Sequence, residues 1–125
     1  MRNLFDIKNR VIVVTGGTGV LGAAMVEYLA EQGAKVAVLA RNPEKGEALV
    51  KSVKDKGYEA AFFQTDVNNV ENVQQTADAI MAKYGRVDVL LNGAGGNQAG
   101  ATIGPDKTIF DLSLDAFRQV VDLNL

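Results

Sequence analysis

Four short apolar runs, separated by segments of helical periodicity, constrain this chain more than any other feature. The runs are residues 11–15, 35–40, 60–64 and 87–91, and their Val-rich continuity marks strands buried on both faces. The first helical pattern covers about 21–32, with Gly33 as its stop. Asn42 caps the second, Pro43 suits its first position, and Gly57 lies just past its end. Ala48, Leu49 and Val53 share its apolar face. In the third, Val70, Val73, Ala77, Ile80, Met81 and Tyr84 recur at helical spacing, and Asn68 with Glu71 forms a capping box. Strand and helix in strict alternation specify the α/β class, as a Rossmann-type, doubly wound parallel sheet in three αβα layers. Right-handed crossovers place the first two helices on one face and the third on the other, with strand order 3-2-1-4.

After Leu91 the pattern loosens. Residues 93–112 carry Gly93, Gly95, Gly96, Gly100, Gly104 and one proline, and read as a long loop. Ser113 then caps a fourth helix, with Ala116, Phe117, Val120, Val121 and Leu123 or Asn124 inward. In a 3-2-1-4 order the fourth strand is an edge, yet residues 87–91 read as a central strand. A fifth strand and further helices are therefore expected to follow. Residues 1–125 are expected to be the N-terminal part of a Rossmann-type domain, truncated at its C-terminus.

Composition excludes several chemistries. The chain has no Cys and no His, which removes Cys/His zinc sites, thiolate nucleophiles and Ser-His-Asp triads. A net charge of −2 argues against nucleic acid as a partner. No run of about 18 apolar residues or apolar leader is present, so a cytoplasmic protein without a membrane partner is expected.

The strongest chemical signal is Thr15-Gly16-Gly17-Thr18-Gly19-Val20-Leu21-Gly22, between the first strand and first helix. Glycines permit a sharp turn and close approach of a pyrophosphate, and the helix N-terminus offers free N–H groups. Gly16, Thr18, Gly19, Val20, Leu21 and Gly22 are the candidate contacts, Thr18 through its hydroxyl. A bland strand-to-helix turn is the other reading. At the end of the second strand, Ala40 stands where an NAD site carries an acid. Arg41 follows, and its guanidinium suits the 2′-phosphate of NADP, with Asn42 beside it. NADP(H) is favoured on that ground, with NAD(H) the alternative. A solvated loop cation is the plainer account of Arg41.

Taken together, these residues resemble the short-chain dehydrogenase/reductase family from about residue 8 to the last. The resemblance rests on the glycine turn, on Asp66-Val67 after the third strand, on Asn92-Gly93-Ala94-Gly95 after the fourth, and on Asp122-Leu123-Asn124-Leu125. It implies that Asp66 and Val67 hold the adenine ring, that Asn92, Gly93, Ala94 and Gly95 border the cofactor, and that Asn124 is the family's active-site asparagine. Asp66 as a helix-start carboxylate, Asn92 as a strand tie and Asn124 as a solvent-facing polar residue are the structural alternatives. The spacing of Gly16, Gly19 and Gly22 is that of the family's extended branch, whereas the other motifs resemble its usual members.

By this resemblance the activity is hydride transfer between a nicotinamide and a carbonyl or alcohol substrate, in an oxidoreductase that is homo-oligomeric at full length. The Asn-Gly-Ala-Gly-Gly-Asn run resembles reductases of sugar acids. The family's acid or base is a tyrosine with a lysine four residues on, and none of Tyr28, Tyr58 and Tyr84 has that partner. The chain is therefore expected to supply the cofactor-binding half and to be inactive alone. A non-catalytic dinucleotide-binding module or regulatory fragment is the alternative.

Overall fold

In the computed structural model, which describes residues 3–125, the four apolar runs pair as parallel strands; the first two are buried on both faces, whereas the fourth, expected to be buried, is largely exposed at the sheet edge. The elements are β1 (Val11–Thr15), α1 (Val20–Glu31), β2 (Lys35–Ala40), α2 (Pro43–Asp55), β3 (Glu59–Gln64), α3 (Val70–Tyr84), β4 (Val89–Asn92) and α4 (Leu114–Asn124). The sheet order is β3-β2-β1-β4, as the sequence predicts. Register runs from Val11 beside Lys35 to Thr15 beside Leu39, and from Lys35 beside Glu59 to Ala40 beside Gln64. On its other side β1 pairs with β4, from Ile12 beside Val89 to Thr15 beside Asn92.

Alternation along the strands sorts the core into two layers. Ile12, Val14, Val36 and Val38 meet Val26 and Ala30 of α1 and Val50 and Val53 of α2. Val13, Ala37 and Leu39 meet Ile80 of α3, with Phe63 and Tyr84 alongside. The first two helices thus share one face and the third takes the other, the arrangement that right-handed crossovers require. The chain divides after Gly93 into two compact units, the sheet with α1–α3 and a smaller unit from Ala94 to Leu125. In the smaller unit the glycine-containing segment predicted to be a long loop carries two short 3-10 turns, Ala99–Ala101 and Ile109–Asp111. Thr108 and Asp111 cap the second reciprocally. Ser113 caps α4 by accepting from the Ala116 N–H at 3.2 Å, as expected from the sequence.

Helix faces depart from the periodicity at specific positions. In α2 the buried line is Gly46, Val50 and Val53, with Leu49 half-buried, whereas Ala48 is exposed. In α3 Ile80 is buried, but Val70, Val73, Ala77 and Met81 lie exposed and Thr76 takes the inner position. Thr76 is tolerated there because its hydroxyl shares a 2.9 Å hydrogen bond with that of buried Thr65. The cap of α3 is Asn69, which accepts from the Asn72 N–H at 2.9 Å, rather than Asn68. None of the α4 residues expected to face inward is buried, although Ala116, Val120 and Leu123 are half-buried.

β4 begins at Val89, two residues later than the apolar run suggests, because Asp88 is diverted to another task. Its carboxylate accepts from the Val11 N–H at 2.8 Å and pairs with Arg10 and Arg86. The Val11 hydrogen bond first, and the Arg86 pairing next, hold this carboxyl below its ordinary value of 3.8. A depressed folded value stabilises the fold above the unfolded value, and that contribution disappears as pH falls through the folded one. Asp88→Asn is therefore expected to lower Tm by a few degrees at pH 7. The difference from wild type should shrink below about pH 4 in a thermal melt series.

Candidate functional site

Parallel register brings the carboxyl ends of the four strands to one edge of the sheet, with Thr15 between Leu39 and Asn92 and Ala40 beside Gln64. Residues 16–19, 41–42 and 66–67 follow those ends and Asn92 and Gly93 lie at the fourth, so the motifs of the larger unit gather along that edge.

The turn after β1 is built around different tasks for its glycines. Gly16 adopts φ +67°, a left-handed conformation that lets the chain reverse. Gly22 lies against the turn so closely that a Cβ there would stand 2.2 Å from the Gly16 carbonyl oxygen and 2.9 Å from the Gly17 Cα. Gly19 differs, because a Cβ would meet nothing nearer than the Gly16 oxygen at 3.5 Å. Protein packing does not demand a glycine there, and the bare backbone leaves the outer surface of the turn open.

The N-terminus of α1 completes this surface. Gly19 offers no side-chain cap, and the first turn has no acidic residue. By contrast α2, α3 and α4 are each capped by a side chain, from Asn42, Asn69 and Ser113, and each has an acid in its first turn. The Ala23 N–H donates to Gly19 O at 2.8 Å, so the N–H groups of Val20, Leu21 and Gly22 have no partner within the helix. Unneutralised donors and the positive end of a helix dipole form a seat for an anion. Val20 and Leu21 project into solvent beside it, 92% and 74% exposed, and give the seat an apolar border. Thr18 is half-buried within the turn.

At the end of β2, Ala40 is buried and Arg41 is exposed. Among the described residues no carboxylate is ion-paired with the Arg41 guanidinium. Asn42 spends its amide oxygen on the Lys45 N–H at 3.0 Å, as a helix cap. After β3, Asp66 is exposed and Val67 half-buried. Asp66 lies ahead of the α3 cap. Its Oδ1 accepts from the Asn68 N–H at 3.0 Å, and its own N–H donates to Asn72 Oδ1 at 2.7 Å. At the end of β4, the Gly93 N–H donates to Thr15 Oγ1 at 3.0 Å, and a Cβ on Gly93 would stand 2.7 Å from Thr15 O. Gly93 is thereby bound to the end of β1.

The smaller unit holds Ala94, Gly95 and Asn124. The Asn124 side chain accepts from the Gly96 N–H at 3.1 Å, donates to Gly96 O at 2.8 Å and donates to Val120 O at 2.7 Å. Gly95 passes so close that a Cβ would stand 2.8 Å from Asn124 Oδ1. This amide is therefore bonded to the loop and helix backbone, although the residue is exposed.

A tyrosine that donates or removes a proton near neutrality needs a lowered pKa. Tyr84 has the opposite environment, in which burial first and the Glu59 charge second push it up to about 12. Lys83 stacks over its ring, 5.6 Å from the centroid. Tyr28 is exposed on α1, and Tyr58 packs against the α1/α2 core. Within the glycine-turn motif the sequence gives no separate task to Thr15 or Gly17, and it does not single out Gln64, whose amide donates to Arg41 O. The place of Thr15 just before the turn is the signal for its role as acceptor to the Gly93 N–H. The packing reason for Gly17 has no such signal, since a Cβ there would meet the Val38 Cγ1 at 2.7 Å, a contact made in the folded core.

A family model described as short chain dehydrogenase matches residues 10–125. Among curated proteins, the chain is 35% identical to an uncharacterised oxidoreductase of Bacillus subtilis, UxuB, over 95% of this chain and 46% of that protein. Among solved structures, it superposes with TM-score 0.88 on a Haemophilus influenza protein provisionally named a D-mannonate oxidoreductase, with bound NAD. That match has 31% identity and covers 95% of this chain and 46% of the other. An actinorhodin polyketide ketoreductase variant with NADPH gives TM-score 0.83 at 31% identity, over 94% of this chain and 42% of that one. The chain thus spans about half the length of the curated relatives it matches.

Proposed function

The chain belongs to the short-chain dehydrogenase family, and on that premise we propose that it is the cofactor-binding half of an oxidoreductase that moves a hydride between NADP(H) and a carbonyl or alcohol carbon. The observation that carries this reading is the start of α1, which alone among the four α-helices of the described residues has neither a side-chain cap nor a first-turn acid. The open turn at Gly19 and the exposed Val20 and Leu21 fit a pyrophosphate with a bordering sugar. In this reading residues 16 and 18–22 seat the pyrophosphate, Arg41 pairs with the 2′-phosphate with Asn42 beside it, and Asp66 and Val67 hold the adenine. Asn92, Gly93, Ala94 and Gly95 border the nicotinamide end. Asn124 is a positioning residue whose amide holds Gly96 and the end of α4. When bound, the dinucleotide supplies the hydride chemistry.

A cytoplasmic protein suits this reading, and among the described residues no helix is long and apolar enough to cross a membrane. Similarity to a protein provisionally named a D-mannonate oxidoreductase supports a sugar acid as the substrate class. NADP(H) over NAD(H) rests on Arg41 and on the buried Ala40, which offers no carboxylate to a ribose diol. Arg41→Ala is expected to weaken NADPH binding about tenfold to hundredfold, the loss of charge-assisted hydrogen bonds, and to leave NADH binding within about twofold. Equal losses for both nucleotides, measured by calorimetric titration, would remove the 2′-phosphate clamp.

A further inference from the structure

The last carbonyls of β2 and the turn that follows are tied down one after another. Leu39 O accepts from the Gly17 N–H at 3.3 Å, and Ala40 O accepts from the Thr65 N–H at 2.9 Å. Asn42 O accepts from the Gly46 N–H at 3.1 Å. Each of these ties is backbone to backbone. The Arg41 carbonyl is held differently, by the side-chain amide of Gln64, whose Nε2 donates to it at 3.2 Å. Gln64 is the last residue of β3, in register with Ala40, and is exposed. Between two residues anchored by backbone bonds, the Arg41 carbonyl is thus held by a side chain from the neighbouring strand.

We propose that Gln64 is a positioning residue for NADP(H) selectivity, fixing the Arg41 peptide so that the guanidinium is presented to a 2′-phosphate. The inference rests on the reading of Arg41 as the 2′-phosphate clamp. Its physical content is preorganisation. A long cationic side chain on a tethered backbone loses less freedom on binding than one on a loose backbone. The same strand end leads directly into Thr65, Asp66 and Val67, so Gln64 also ties the adenine-side loop to the phosphate-side loop. NADH lacks the 2′-phosphate and makes no use of the guanidinium, which gives the proposal an internal reference.

The test is calorimetric titration of the full chain and of Gln64→Leu, Arg41→Ala and the double variant, with NADPH and with NADH. Leucine keeps the bulk at position 64 and removes the donor. Gln64→Leu is expected to weaken NADPH about three- to tenfold and to leave NADH within about twofold. In the Arg41→Ala background the same change should have no further effect, because Gln64 acts through Arg41. Equal weakening of both nucleotides, or an undiminished NADPH loss in the double variant, overturns the proposal. An unchanged NADPH affinity in Gln64→Leu, with a selective loss in Arg41→Ala, overturns it and leaves the clamp standing. No selective loss in Arg41→Ala removes the clamp and the proposal with it.

Discussion

Gly22→Ala is expected to lower stability by about 3 kcal/mol and to abolish NADPH binding in the same titration. The added methyl would stand 2.2 Å from the Gly16 carbonyl oxygen, 2.9 Å from the Gly17 Cα and 3.0 Å from the Gly16 carbonyl carbon. All three are backbone atoms, so no rotamer change relieves the overlap. Helix propensity opposes the loss, since alanine is favoured over glycine by about 1 kcal/mol within a helix, but that gain is smaller. Either α1 moves away from the turn or the turn opens. Both displace the N–H groups of Val20, Leu21 and Gly22, at which the pyrophosphate seat is proposed. Thermal melts should show a Tm loss of about 10 °C or more. A variant with wild-type Tm would mean that the turn and the helix are not packed as described.

Gly46→Ala should also destabilise the protein, by about 2 kcal/mol, although it replaces the poorest helix former short of proline with the best. Gly46 is buried in α2, where a Cβ would stand 2.2 Å from Cδ2 and Cε2 of Phe62 and 2.7 Å from its Cγ. The ring of Phe62, on β3, occupies the space that a side chain would need. A second substitution, Phe62→Leu, should restore part of the lost stability by withdrawing the ring. Chemical denaturation of the single and double variants separates the two effects. A Gly46→Ala protein as stable as wild type, or more stable, would contradict this packing.

These glycines show what the sequence could and could not convey. Strand order and the division of helices between faces were legible, because both follow from the alternation of elements and from crossover handedness. Gly16, Gly19 and Gly22 were legible as a set, since their spacing at a strand-to-helix turn has few other uses. Their separate tasks were not, because these depend on which atom each faces. Gly46 was unreadable for the same reason, as its neighbour Phe62 lies on another element. Periodicity placed Ala48 inside and overlooked Gly46, because an apolar count gives a glycine no weight. It likewise missed Thr76, a polar residue made acceptable inside by Thr65. Gln64 was missed because a glutamine at a strand end looks like any solvated residue until its amide is found on Arg41 O.

The most direct test of dinucleotide binding at the glycine turn is calorimetric titration of the chain with NADPH and with NADH. The expected result is saturable binding of both, tighter for NADPH, from a protein that melts cooperatively. A folded chain that binds neither nucleotide would contradict the account. The turn after β1 would then be only a link between a strand and a helix.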